Sequence, residues 1–211
     1  VEQKENIYGN ENGNIIITIA REYGSGGRYI GKLVAEKLGI KLYDKEIIED
    51  MERETGLSAE YIKENEQKRN VLDVFNNGYY AGLNNADELF LKESDFIKDL
   101  ANRGPCVIVG RCADSILKDR KNVLKIFVSS SMEDKIKRVT KFYKMDEEVA
   151  KKEITRINKL RANHYKYYTD KEWRNPSNYD ICINSDSVGI DNSVDLIYNI
   201  VKKVEAQKQV M

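Results

Sequence analysis

A chain of 211 residues is long enough to bury one sizeable core, or one core carrying a mobile subdomain. Charged residues make up 33% and the formal net charge is zero, which argues against a general nucleic-acid binder, because affinity for a phosphate backbone needs a cationic surplus. No apolar run reaches the ~20 residues that a bilayer-spanning helix needs, and no charged-then-apolar leader opens the chain, so a cytoplasmic location without membrane or nucleic-acid partners is expected.

The polar residues 1–14, repetitive in Asn, Glu and Gly, read as a disordered N-terminal end, which leaves 15–211 as a single domain. Ile15-Ile16-Ile17-Thr18-Ile19-Ala20 is a β-branched run of strand length, suited to a parallel strand covered on both faces. Ile30, Leu33, Val34 and Leu38 then recur at helical spacing, and Gly39 supplies a stop. Between strand and helix, Gly24, Gly26 and Gly27 let the backbone take positive φ and approach a ligand with no Cβ in the way. Unpaired N–H groups at a helix start, reinforced by the helix dipole, attract anions, and Arg28 adds a full charge there. Against the phosphate-loop pattern G-x-x-x-x-G-K-[ST] the match is partial: with Gly27 as the second glycine, the first falls on Glu22, the lysine on Arg28 and the hydroxyl on Tyr29. A tight turn that binds nothing is the competing reading, and the order strand, loop, helix weighs against it.

Residues 40–43 form a second apolar run, and Asp44 follows at its carboxyl end, where open α/β sheets bind ligands. Its competing role is a helix N-cap. Ile47, Ile48 and Met51 suggest a helix, Leu57-Ser58 with Ile62 a hydrophobic staple, and the irregular stretch 63–85 an insertion or flexible arm. Phe90, Ile97, Leu100 and Ala101 lie on one helical face that Gly104-Pro105 ends before the strand Cys106-Val107-Ile108-Val109, which runs into Gly110-Arg111-Cys112-Ala113-Asp114. Residues 123–128 make a fourth strand, and Ser131-Met132-Glu133-Asp134 is a capping box for a helix whose apolar face is Ile136, Val139 and Tyr143. Asp146 caps the next helix. There Ala150, Ile154, Ile157 and Leu160 form a stripe, while Lys152, Arg156, Lys159 and Arg161 form a face that is either solvated or closes over phosphates. His164, Trp173 and the tyrosines Tyr165, Tyr167 and Tyr168 read as packing residues. Residues 179–184 supply a fifth strand, and Val194, Ile197, Val201 and Val204 line a final helix. Five strands alternating with helices define an α/β chain with a parallel sheet and right-handed crossovers. The three cysteines are odd in number and lack metal-type spacing; Cys106 and Cys182 lie in strand-like runs, so buried reduced thiols are expected.

The run Ile19-Ala20-Arg21-Glu22-Tyr23-Gly24-Ser25-Gly26-Gly27-Arg28, the segments Leu42-Tyr43-Asp44-Lys45-Glu46 and Val107-Ile108-Val109-Gly110-Arg111-Cys112-Ala113-Asp114, and residues 161–168 with Asn178-Tyr179-Asp180 resemble the cytidylate kinase-like proteins, a branch of the nucleoside monophosphate kinases in the P-loop superfamily. The resemblance implies a three-layer P-loop NTPase fold: a five-stranded parallel sheet in the order 2-3-1-4-5, helices on both faces, an acceptor-binding segment after the second strand and a helical lid over about residues 145–178. It implies transfer of the γ-phosphoryl group of ATP, with Mg²⁺, onto CMP or dCMP. By the same resemblance Gly24, Ser25, Gly26, Gly27 and Arg28 match the phosphate loop; Tyr29 stands beside them at the hydroxyl position, Ser25 is the loop hydroxyl left for Mg²⁺, and Lys32 is a further cation one helical turn on. Asp44 matches an acidic residue of the acceptor side, Arg111 an arginine that meets the acceptor phosphate, and Lys159 and Arg161 the lid cations at the transferring group.

The chain departs from authentic cytidylate kinases, which resemble G-x-S-G-x-G-K-[GS]-T in the loop, by having Arg28 followed by Tyr29 and Ile30. The acidic residues that flank Gly-Arg in those enzymes are Val109 and Cys112 here, and their serine and arginine beyond the second-strand aspartate correspond to Lys45 and Asp50. Two classes of function therefore stand side by side: a kinase for CMP, dCMP or another small metabolite, and a nucleotide-sensing module of the same fold. A homodimer is the assembly to be tested.

Overall fold

The computed structural model describes residues 15–44 and 85–208. The expected helix at Ile47 to Met51, the staple around Ser58, the arm from residue 63 and the acceptor-binding segment after the second strand lie outside the described residues.

β1 (Ile16–Arg21) runs through the middle of a five-stranded sheet, between β3 (Cys106–Val109) and β4 (Val123–Ser129). β2 (Lys41–Tyr43) lies outside β3, and β5 (Ile181–Asn184) outside β4. All four pairings are parallel, and the order is the expected 2-3-1-4-5. Successive strand side chains point to opposite faces, so the β-branched run of β1 feeds two cores at once. Ile15, Ile17 and Ile19 pack with α1 (Gly27–Leu38) and the terminal helix; Ile16 packs on the other face with Phe96, Ile97 and Leu100 of α2 (Asn85–Asn102). That two-sided burial is what a near-continuous apolar strand requires.

A short α3 (Ala113–Ile116) follows β3. α4 (Met132–Tyr143) opens on Ser131, whose side chain accepts from the Asp134 N–H as the capping box predicts. The long α5 (Glu147–Thr169) starts at Asp146, and a 3₁₀ turn (Pro176–Asn178) leads into β5. α6 (Ser185–Val188) and α7 (Ile190–Lys208) complete the described residues, with Val194, Ile197, Val201 and Val204 of α7 in the core. Among the described residues no helix is long and apolar enough to cross a membrane.

Two packing expectations are corrected. Cys182 is exposed, because Ile181 and Ile183 take the inward positions of edge strand β5 and strand alternation turns the residue between them outward; Cys106 and Cys112 are buried. Tyr143, expected on the buried face of α4, is 56% exposed and instead lays its ring 5.7 Å from that of Tyr23.

Candidate functional site

The turn between β1 and α1 is shaped by its carbonyl oxygens. The Glu22 carbonyl accepts from Ser25 N at 3.3 Å and Ser25 Oγ at 2.9 Å; the Gly24 carbonyl accepts from Arg138 at 3.4 Å; the Ser25 carbonyl accepts from Ser185 Oγ at 2.6 Å. The Gly26 carbonyl accepts from Ile30 N at 2.9 Å. With these acceptors engaged, the N–H groups of Gly24, Gly26, Arg28 and Tyr29 make no hydrogen bond to a described group. Gly24 and Gly26 hold φ of 81° and 78°, a region closed to most residues, and a Cβ on Gly26 would stand 2.6 Å from Ile190 Cδ1. Amides that no described group engages, at the first turn of a 12-residue helix with its dipole behind them, are suited to an anion.

Ser25 is fully buried and its hydroxyl is used within the turn, donating to Glu22 O and accepting from Gly27 N. The turn thus already engages the hydroxyl expected to meet Mg²⁺, leaving it one lone pair. Glu22, at the position of the missing first glycine, is a buried pin: one carboxylate oxygen meets Lys135 Nζ at 2.6 Å and the other Arg174 Nη2 at 2.6 Å.

The carboxyl ends of β1, β2 and β3 carry the charged part of the site. Asp44, just past β2, meets Arg28 Nε at 2.5 Å and Arg21 Nη2 at 3.8 Å, so its observed role is ion pairing. Arg21 owes its place to Gly110, at φ 82°, where a Cβ would overlap Arg21 Nη1 and stand 2.9 Å from Cζ. Burial holds the Arg21 guanidinium below its usual pKa, while Asp44 pulls the other way. Arg111 and Cys112 continue the left-handed backbone of Gly110 with φ of 61° and 53°, an uncommon conformation for side-chain-bearing residues that persists where the surroundings impose it. Burial, then the nearby Arg21, push Arg111 down to about 10. Its Nε lies 3.4 Å from Oε1 of Glu93, a fully buried α2 carboxyl that burial pushes up to about 8.

Arg161 reaches in from α5. Its Nη1 donates to the Arg21 carbonyl at 2.9 Å, its guanidinium stands 5.8 Å over the Tyr23 ring, and burial followed by Arg21 push it down to about 9. Arg28 and Arg21 pair with Asp44, and Arg111 and Arg161 lie near enough to feel the charges of both Asp44 and Arg21. Arg21 was missed, although its position as the last residue of β1 is the same carboxyl-edge signal that singled out Asp44. Lys159 is exposed and joins none of these contacts, and Lys32 pairs with Glu36 at 3.8 Å along its own helix. His164, Tyr165, Tyr168 and Trp173 pack at the base of α5: Tyr168 stacks on Phe90 at 3.6 Å between centroids, and Trp173 and Tyr165 join the cluster with Phe127 and Tyr179. Tyr165 also donates to the buried Asp114 at 2.7 Å. Among the described residues, the guanidinium groups of Arg21, Arg28, Arg111 and Arg161 gather near Asp44, and such planar forks suit phosphate oxygens.

A glycine turn joining the first strand and helix of a 2-3-1-4-5 parallel sheet, with arginines at the carboxyl edge, defines the phosphate-loop kinase class. Shikimate kinase from Bacteroides thetaiotaomicron shares this fold, with a TM-score of 0.54 at 15% identity over 89% of this chain and 98% of that one. The chain belongs to the cytidylate kinase-like family, whose model matches residues 16–187. It is 25% identical over 198 residues to the cytidylate kinase of Archaeoglobus fulgidus, covering 91% of this chain and 96% of that one. An uncharacterized protein from Eubacterium ventriosum has a TM-score of 0.69 and 29% identity over 89% of this chain and 98% of that one.

Proposed function

We propose that this chain transfers the γ-phosphoryl group of ATP to a nucleoside monophosphate, with CMP or dCMP as the favoured acceptor. The observation that carries the proposal is the gathering of Arg21, Arg28, Arg111 and Arg161 around Asp44, beside the free amides of the glycine turn. The turn and Arg28 bind the donor polyphosphate, Arg111 and Arg21 hold the acceptor phosphate, and Arg161, on the lid helix, faces the group in flight. An acceptor phosphate, with a second pKa near ~6, is already ionised at neutral pH. Its oxygen forms the new bond to Pγ as the bond from Pγ to the β,γ-bridging oxygen breaks, yielding ADP and a nucleoside diphosphate, and no general base is needed. Catalysis is then alignment plus neutralisation of the equatorial oxygens. Asp44 keeps the arginines ordered until phosphate oxygens replace it.

Mg²⁺ ordinarily supplies charge neutralisation on the β- and γ-phosphates in such enzymes. The described residues do not fit a protein-held ion: Ser25 is committed to the turn, Asp44 and Glu22 are ion-paired, and no group of three or more metal-binding side chains occurs among them. The same commitment of Ser25 and Asp44 favours a second reading, a nucleotide-sensing module. ADP release with a panel of nucleoside monophosphates and small hydroxylated metabolites, with and without Mg²⁺, separates the two. Acceptor- and Mg²⁺-dependent ADP that falls at least roughly ten-fold in Arg28→Ala supports the kinase, as expected for loss of a charged phosphate contact. Thermal stabilisation by nucleotide with no turnover selects the sensor, and neither response overturns both.

A further inference from the structure

We propose that Asn158 is a positioning residue for the donor-phosphate turn, so that affinity for ATP depends on a single side chain of α5. The inference rests on reading the turn as the ATP site. The buried face of α5 consists of Ala150, Ile154, Asn158 and Tyr165. Three of these suit a core; Asn158, 4% exposed, must find partners for its amide or lose solvation without return. Its Oδ1 accepts from Tyr23 N at 2.7 Å.

That N–H belongs to the peptide joining Glu22 to Tyr23, and the carbonyl of the same peptide accepts from both Ser25 N and Ser25 Oγ. The peptide plane is therefore clamped at both edges, by α5 on the N–H side and by the glycine turn on the C=O side. Because the plane is rigid, freeing the N–H lets the carbonyl rotate away from Ser25, and the amides of the turn lose the orientation that makes them a cradle. The neighbouring contacts do not replace this one. Arg161 binds the Arg21 carbonyl and Arg174 binds the Glu22 side chain, so each touches the backbone before that plane or the side chain beside it.

Asn158→Leu keeps the volume and suits the apolar stripe but accepts no hydrogen bond, whereas Asn158→Asp keeps an acceptor, three residues from the Arg161 guanidinium. Calorimetric titration of each full-length variant with ATP and, separately, with CMP is the test, alongside amide hydrogen exchange of the peptide spanning residues 20–28. Asn158→Leu should weaken ATP binding roughly ten-fold, as expected when a backbone donor loses its acceptor, and speed exchange in that peptide while CMP affinity stays within two-fold. Asn158→Asp should bind ATP nearly as the natural chain does. Unchanged ATP affinity in Asn158→Leu, or equal loss of ATP and CMP binding, overturns the inference while leaving the kinase reading intact. Should Asn158→Leu fail to fold, a ten-fold loss of ATP affinity in Asn158→Asp overturns it instead. Failure of the natural chain to bind ATP removes the site reading and this inference with it.

Discussion

Gly110→Ala probes whether the arginine cluster depends on the absence of one methyl group. Two effects add. The φ of 82° costs an L-residue about 1–2 kcal/mol. The new Cβ would also overlap Arg21 Nη1 and stand 2.9 Å from Cζ and 3.3 Å from Nη2, so the guanidinium must leave its place beside Asp44. Moving this guanidinium, the far end of a flexible side chain 3.8 Å from Asp44, adds about 1 kcal/mol. Gly39→Ala is the control: its φ of 67° carries the same kind of backbone strain, but nothing lies within 4 Å of the added Cβ. Urea denaturation of both variants should show Gly110→Ala less stable by about 1 kcal/mol than Gly39→Ala, or roughly 2–4 °C lower in Tm for a domain of this size. Stabilisation by added CMP should fall in Gly110→Ala alone. Equal destabilisation and equal stabilisation by CMP in the two variants would refute the idea that Gly110 exists to admit Arg21.

Lys135→Met should destabilise the fold by about 3–5 kcal/mol in urea, since it strips the buried Glu22 of its enclosed partner and leaves only Arg174, itself 57% exposed; a loss under about 1 kcal/mol would contradict the pin. Burial holds the Glu93 carboxyl at about 8 against an ordinary 4.5, so between those values the folded chain keeps a proton that the unfolded chain has released. Its contribution to stability is complete below pH 4.5 and is lost as pH rises through about 8. Glu93→Gln should therefore gain stability relative to the natural chain as pH rises across that interval, and parallel pH profiles would argue against a buried protonated carboxyl. Iodoacetamide labelling followed by mass spectrometry should mark Cys182 in the native protein and reach Cys106 and Cys112 only on unfolding; equal native labelling of all three thiols would contradict the packing.

The sheet was legible because its signals are local and strong. The β-branched run of β1, the Gly-Pro break before β3 and the capping box at Ser131 each act within a few residues, and the strand order came with the family resemblance. The site was legible where chemistry and position coincide, as at Asp44 and Arg111, each just beyond the carboxyl end of a strand. It was opaque where a residue's fate is decided by distant neighbours. Ser25 was singled out as a hydroxyl for Mg²⁺, and nothing local announces that it also bonds the turn that contains it. Arg21 drew no role of its own from the sequence, and the glycine at position 110 that makes room for its guanidinium is distant in the chain. Asn158 sits between Ile154 and Arg161 with nothing local to mark it, because its partner is the backbone of Tyr23. Cys182 differs from Cys106 only in lying on an edge strand, and edge position is a property of the assembled sheet.

The supports of the glycine turn come from far along the chain: Asn158 lies 135 residues beyond Tyr23, Arg161 140 beyond Arg21, and Ser185 160 beyond Ser25. During synthesis the turn therefore emerges well before the residues that scaffold it. Loops closed over such spans are entropically costly and form slowly. A chain ending before residue 158 would carry the glycines of the turn without the Asn158, Arg161 and Ser185 contacts that hold it.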